Sequence, residues 1–272
     1  MSELKYKKIA LFGCSFSCEP QNGPWVGWPT MLQNDNLNTL HLENYSAAGM
    51  GNTQLSNRVI NYIRQSSPEL LLIQWSAFSR CYATTYEEAK TNFLRHNGGD
   101  DWLKYYNIDW EVSNGISTND FHLENLTKDI TKNSLETIVN LMEYLDGINQ
   151  NYKMWFGWQQ VYPEQIEEFG LTHLTDKIKN NKNFYLFNQK ECYDYELENY
   201  GLISKSNYPL TLKKLFGLDK GNYFHPATEW GGMTEYIREN MDKDKYVSPT
   251  DMHPSTKGHE FFYNTFIKEI LK

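Results

Sequence analysis

The sequence predicts an α/β protein built on a parallel sheet with helices on both faces. Two observations carry that prediction. Short, near-continuous apolar runs bounded by turn residues recur along the chain, as strands buried on both faces require. Between and after them lie segments whose apolar residues repeat every three to four positions, the period of a helix packed on one side. Strands that alternate with helices in this way pair in parallel, because each crossover helix returns the chain to the same end of the sheet. With 272 residues and 40% hydrophobic content the chain can fill a substantial core.

In chain order, "KIALFG" (8–13) is the first strand and "WPTMLQN" (28–34) the helix that follows. A weaker strand, "LHLENYS" (40–46), precedes a helix over "NTQLSNRVINYIRQ" (52–65). The strand "ELLLIQWS" (69–76) comes next. A long helix is predicted over 126–148, where Ile130, Leu135, Ile138, Leu141, Met142 and Leu145 share a face. Then follow a strand at "YKMWFGWQ" (152–159), a helical pattern in "PEQIEEFGLTHLTDKIKNN" and a fifth strand at "NFYLFNQ" (183–189). The last helix, "STKGHEFFYNTFIKEILK", puts Phe262, Phe266 and Ile270 on one side and offers Ser255 as its N-cap. Two polar, aromatic-rich stretches, 82–124 and 190–247, break the alternation; neither has a self-sufficient core, so both read as insertions into a single domain spanning 1–272.

A formal net charge of −8 argues against a nucleic-acid or anionic-membrane partner, either of which needs a basic face. No apolar stretch approaches the roughly 18 residues of a membrane span. Cys14, Cys18, Cys81 and Cys192 are scattered without metal-binding spacing, which fits a reducing compartment better than a disulfide framework. Lys5, Lys7 and Lys8 ahead of "LFGC" imitate an export signal, but the apolar run Ile9 to Phe12 is far shorter than the roughly 7–15 residues of a signal core. A cytoplasmic protein is expected.

In open parallel sheets, ligands bind beyond the carboxyl ends of the strands. That edge collects Ser15, the loop after residue 46, and Ser76. A serine ending a strand means little alone. Near the other end, "SPTDMHPSTKGHEFF" places Asp251 and His253 in a Pro-flanked loop before the last helix. An Asp so close can hold an imidazole tautomer, and that imidazole can deprotonate a serine. Cys14 is a rival nucleophile, but side chains alternate at a strand end, so it leaves on the face opposite Ser15. His225 in "FHPATEWGG" lacks an Asp placed like Asp251, and His253 with His259 makes no metal site without a third ligand. Neither a metal nor a cofactor is expected.

Taken together these blocks resemble the SGNH/GDSL-type hydrolases. Gly13-Cys14-Ser15 stands for the family's Gly-Asp-Ser, "GWPTML" (27–32) for the Gly-Trp and Leu after it, "ENYSAAGMGNTQLSNRV" for the second block, and "TDMHPSTKGHEFF" for the last. The resemblance spans nearly the whole chain, with the blocks in order. It implies a flavodoxin-like three-layer α/β/α sandwich with a five-stranded parallel sheet. It also implies a serine nucleophile at Ser15, a general base at His253 oriented by Asp251, and oxyanion donors in the backbone N–H groups of Ser15 and Gly51. Three departures stand out. Cys14 replaces the Asp of the first block. The third block, usually Gly-x-Asn-Asp, reads Gln74-Trp75-Ser76, so the oxyanion-hole Asn is missing at its aligned place; the Ser76 hydroxyl, or the Gln74 amide under a shifted alignment, is a candidate donor in its stead. The acid lies two residues before the histidine, where three is common.

Family members cleave acyl esters and thioesters, including acetyl groups on polysaccharides. A small-molecule or glycan ester is the expected partner. Trp28, Trp75 and Arg80 are candidate substrate contacts; Trp25 and the insertion residues Trp102, Tyr105, Tyr106, Trp110 and Trp230 supply further rings for stacking on sugars. A second reading remains open: a non-catalytic carbohydrate- or protein-binding module, or a viral structural or accessory protein, that keeps the fold without the activity.

Overall fold

The computed structural model describes residues 4–18, 25–47, 50–76, 78, 80–81, 110–111, 120–193, 224–225, 227–248 and 251–272. The chain runs β1 (Lys8–Phe12), α1 (Trp28–Asp35), β2 (His41–Asn44), α2 (Asn52–Ile63), β3 (Leu70–Trp75), and the short pair β4 (Arg80–Cys81) and β5 (Trp110–Glu111). It continues through α3 (Asp120–Gly147), β6 (Tyr152–Phe156), α4 (Pro163–Glu168), α5 (Thr172–Lys179), β7 (Phe184–Tyr185) and β8 (Phe187–Gln189). The last part holds β9 (Cys192–Tyr193), β10 (Phe224–His225), β11 (Thr228–Gly231), α6 (Met233–Asn240), β12 (Tyr246–Ser248), β13 (Asp251–Pro254) and α7 (Thr256–Phe262).

Strands β2, β1, β3, β6 and β7 form one sheet in that spatial order, and every neighbouring pair is parallel. This is the doubly wound, flavodoxin-like arrangement, in which the chain reverses direction across the sheet between β1 and β3. The period-2 alternation of the strands sorts their side chains into two cores. Ala10, Phe12, Leu71, Ile73, Trp75, Met154 and Phe156 face one way and meet Leu55 and Val59 of α2, Leu135 and Ile138 of α3, and Ile178 of α5. Ile9, Leu11, Leu70, Leu72 and Trp155 face the other way and meet Trp28 and Leu32 of α1, Met233 and Ile237 of α6, and Phe262 of α7. Burying one such large side chain contributes roughly 1.5–3 kcal/mol. The two layers therefore hold the sheet from both sides.

The fifth predicted strand is shorter than expected. Only Phe184–Tyr185 pair with β6, while Phe187–Gln189 turn away to pair antiparallel with β11. The helical pattern after β6 is two helices, α4 and α5, separated by Phe169–Leu171. Beyond α7 the last helix continues through a π-helical turn, Tyr263–Ile267, into Lys268–Ile270. Residues 82–109 and 112–119 of the first expected insertion, and most of 194–226 in the second, lie outside the described residues. Residues 228–240 of the second stretch are integral to the fold: Trp230 joins the first core, Met233 and Ile237 the second.

Candidate active site

Strand β1 ends at Phe12, and residues 13–17 form the loop that presents Ser15. The loop is tied to three neighbours. The Ser17 N–H donates to the Cys14 carbonyl at 3.0 Å, closing a tight turn around Ser15. The Ala47 N–H, beyond β2, donates to the Gly13 carbonyl at 3.0 Å. The Asn44 side-chain amide donates to the Ser17 carbonyl at 2.9 Å, and the Ser17 hydroxyl donates to Gln74 Oε1 at 2.7 Å. Glycine at position 13 lets the loop pack closely, since a Cβ there would lie 3.0 Å from the Ser17 Cβ and 3.2 Å from the Gln74 Cβ.

His253 reaches Ser15 from the far end of the chain. It sits on β13, which pairs antiparallel with β12, immediately before α7. Ser255 anchors this junction: its hydroxyl accepts the Gly258 N–H at 3.1 Å as the helix N-cap, and its own N–H donates to the Lys245 carbonyl at 2.7 Å. His253 Nε2 then lies 2.7 Å from the Ser15 Oγ, across 238 positions of sequence. That is hydrogen-bond distance for a base and a nucleophile. Asp251 is on the same strand, but its side chain, like that of Arg80, lies outside the described residues.

Aromatic rings surround the imidazole. Trp25 stacks on it with centroids 5.5 Å apart and planes 17° apart. Phe16 meets it edge to face at 4.8 Å, and Trp158 in turn packs edge to face on Phe16 at 5.0 Å. Behind this layer His259 on α7 is fully buried, and neither ring nitrogen has a hydrogen-bond partner. Burial, helped by the nearby His253, pushes its pKa down to about 3 and keeps it neutral.

At the neighbouring strand ends, Gly51 is the extended N-cap of α2. Asn52, a residue not singled out by its sequence context, clamps Ser76: its Oδ1 accepts the Ser76 N–H at 2.8 Å and its Nδ2 donates to the Ser76 carbonyl at 3.2 Å. Ser76 itself is fully buried. Gln74 is engaged at both ends, with Oε1 accepting from Ser17 and Nε2 3.3 Å from Met233 Sδ. Cys14 is fully buried in the second core, its Sγ 3.8 Å from Gln74 Oε1.

Two expected substrate contacts are corrected by the structure. Trp28 has no exposed surface; it opens α1 and packs on Trp155 at 5.9 Å. Trp75 is equally buried, and its indole N–H points to Met154 Sδ at 3.4 Å. Both face the cores because β3 is covered on both sides and α1 lies flat on the sheet. Of the other rings, Trp230 is also buried, and Trp102, Tyr105 and Tyr106 lie outside the described residues. Among the described residues no cluster of three His, Cys, Asp or Glu is placed to hold a metal ion, and no helix is long and apolar enough to cross a membrane.

No family model and no curated protein matches the chain. Solved structures do resemble it in outline. A lipase from a goat rumen metagenome matches with a TM-score of 0.43 and 9% identity, over 97% of this chain and 98% of its own. An acetyl-xylooligosaccharide esterase from Geobacillus matches at 0.41 with 12% identity, over 98% and 96%. The psychrotrophic esterase EstA from Pseudoalteromonas matches at 0.36 with 14% identity, over 76% and 90%.

Proposed function

We propose that this protein is a serine ester hydrolase of the SGNH/GDSL type, acting through an acyl-serine intermediate. One observation carries the reading: His253 Nε2 lies 2.7 Å from the Ser15 Oγ at the carboxyl edge of a parallel sheet. In the proposed reaction Ser15 Oγ attacks the ester carbonyl and gives its proton to His253. His253 passes that proton to the departing alkoxide, which leaves as the alcohol. Water then gives a proton to His253 and its hydroxide to the acyl carbon, and the proton returns to Ser15 as the acid is released. Asp251 holds the imidazole in the tautomer that leaves Nε2 able to accept. The backbone N–H groups of Ser15 and Gly51 stabilise the developing oxyanion, whereas the Ser76 hydroxyl expected beside them is not open to a substrate, because that residue has no exposed surface. Each such donor lowers the barrier by about 2.7–4 kcal/mol.

As substrate class we propose a short acyl group, acetyl, on a carbohydrate alcohol. Partly exposed rings at the same edge support this: Trp158 beside Phe16, and Tyr45 at the end of β2, which is 41% exposed. The test is labelling by a fluorophosphonate probe and hydrolysis of p-nitrophenyl acetate, with Ser15→Ala and His253→Ala alongside. Wild type should label and hydrolyse, and both variants should fall by several orders of magnitude. A wild type no better than Ser15→Ala ends the esterase reading, and glycan binding that survives Ser15→Ala would then favour a binding module.

A further inference from the structure

The indole of Trp25 is held where it is by its ring face. Its N–H is buried without a hydrogen-bond partner, and its plane lies within 17° of the His253 imidazole. The next residue fixes the segment, because the Val26 N–H donates to Thr256 Oγ1 at 3.0 Å. Thr256 begins α7, three residues after His253. Trp25 and His253 thus ride on one tied unit made from opposite ends of the chain, and Phe16 meets the imidazole edge to face. A ring so placed cannot tilt without losing the stack or striking Phe16.

We propose that Trp25 is a positioning residue for His253: its indole face fixes the plane of the imidazole opposite Ser15 and stabilises the imidazolium formed when the serine proton is taken. The π-face of tryptophan is the best aromatic partner for a cation, and the attraction is larger when the pair is shielded from water. Among the described residues, the groups near His253 on the packed elements include the Ser15 hydroxyl, the neutral His259 of α7, and the uncharged rings of Trp25 and Phe16. On its own strand Asp251 precedes it by two residues. The proposal rests on His253 being the base, but half of its test does not need activity.

The first arm is kinetic. In p-nitrophenyl acetate hydrolysis, Trp25→Leu should lower kcat about tenfold, equivalent to about 1.4 kcal/mol, with KM changed less than twofold, and Trp25→Phe should recover part of the loss. The second arm is an NMR titration of the His253 ring, assigned with His253→Ala and repeated in Asp251→Asn. Trp25→Leu should lower its pKa by about half a unit, since the cation loses its partner. Replacing tryptophan with tetrafluorotryptophan withdraws charge from the ring face. It should lower that pKa when Trp25 is present and leave it unchanged in the Trp25→Leu variant. If wild type is inactive but these titration shifts occur, the positioning contact stands and the esterase reading falls. If His253 titrates identically in wild type, in the Trp25→Leu variant and in the fluorinated protein, the proposal is overturned whatever the activity.

Discussion

The buried pair Glu235–Arg238 on α6 offers a quantitative test of how the loop beside the site is held. Both side chains are only 5–6% exposed, and Arg238 Nη1 lies 3.6 Å from Glu235 Oε1. Glu235 Oε2 accepts two backbone donors, the Gly232 N–H and the Gln159 N–H, each at 2.8 Å. Arg238 has other partners, donating to Gln189 Oε1 at 2.8 Å and to the Tyr246 hydroxyl at 3.1 Å. Glu235→Ala strands a buried N–H group at Gly232 and a part-buried one at Gln159, and removes the neutralising charge. Two charge-assisted bonds at about 1.5–3 kcal/mol each set the upper scale, and broken buried ion pairs cost about 3–5 kcal/mol. A loss of about 3–5 kcal/mol is expected. Glu235→Gln keeps one oxygen able to accept both N–H groups and forfeits only the charge, so about 1–2 kcal/mol is expected. Urea unfolding with unchanged m-value measures both, and a double-mutant cycle with Arg238→Met isolates the ionic part. If Glu235→Ala costs less than about 1 kcal/mol, or Gln costs as much as Ala, the carboxylate is not what holds this loop.

Gly157→Ala would place a Cβ 2.9 Å from the Phe16 ring, so Phe16, which meets His253 edge to face, must shift. Overpacking of this kind costs about 1–3 kcal/mol in urea unfolding, and on the proposed esterase reading p-nitrophenyl acetate hydrolysis should fall as well. His259 gives a pH signature: its folded pKa, about 3, lies below the unfolded value of 6.5, so the unfolded chain binds more protons. The stability it contributes is whole above pH 6.5 and declines as pH falls toward 3, by up to about 1.4 kcal/mol per unit. His259→Leu should flatten the slope between pH 6 and 5 in urea titrations and be neutral or stabilising at pH 8, because neither ring nitrogen has a partner to lose.

The sheet was legible because burial on both faces writes itself as uninterrupted apolar runs, as in Leu70–Ile73. The same feature misled about aromatic residues. Trp75 follows Gln74 toward the active edge, yet on a strand covered by helices on both sides an inward ring has nowhere to go but the core. Trp28 beside the nucleophile loop reads as a groove residue, whereas Pro29 starts a helix there and turns the indole onto Trp155. The stacking of Trp25 on His253 had no local signal, since the partners come from opposite ends of the chain. The role of Glu235 did have one: an acid three residues after Gly232 is the half of a capping box that reaches back to the first N–H. The clamp of Asn52 on Ser76 had no signal in the sequence, because a side chain that pairs with backbone groups leaves no residue pattern at its partner.

The tie between Val26 and Thr256 has a consequence for the order in which this protein becomes competent. The central strands β1, β3 and β6 can align with everything needed from residues up to 156, but the apposition of Ser15 and His253 closes a loop spanning 238 positions. Closing so long a loop adds little entropy cost per added residue, yet nothing repays it until α7 docks on the second core. A chain cut before residue 250 would keep all five strands of the sheet and the Ser15 loop but lack His253. On the proposed esterase reading, hydrolysis would therefore report the docking of the last helix.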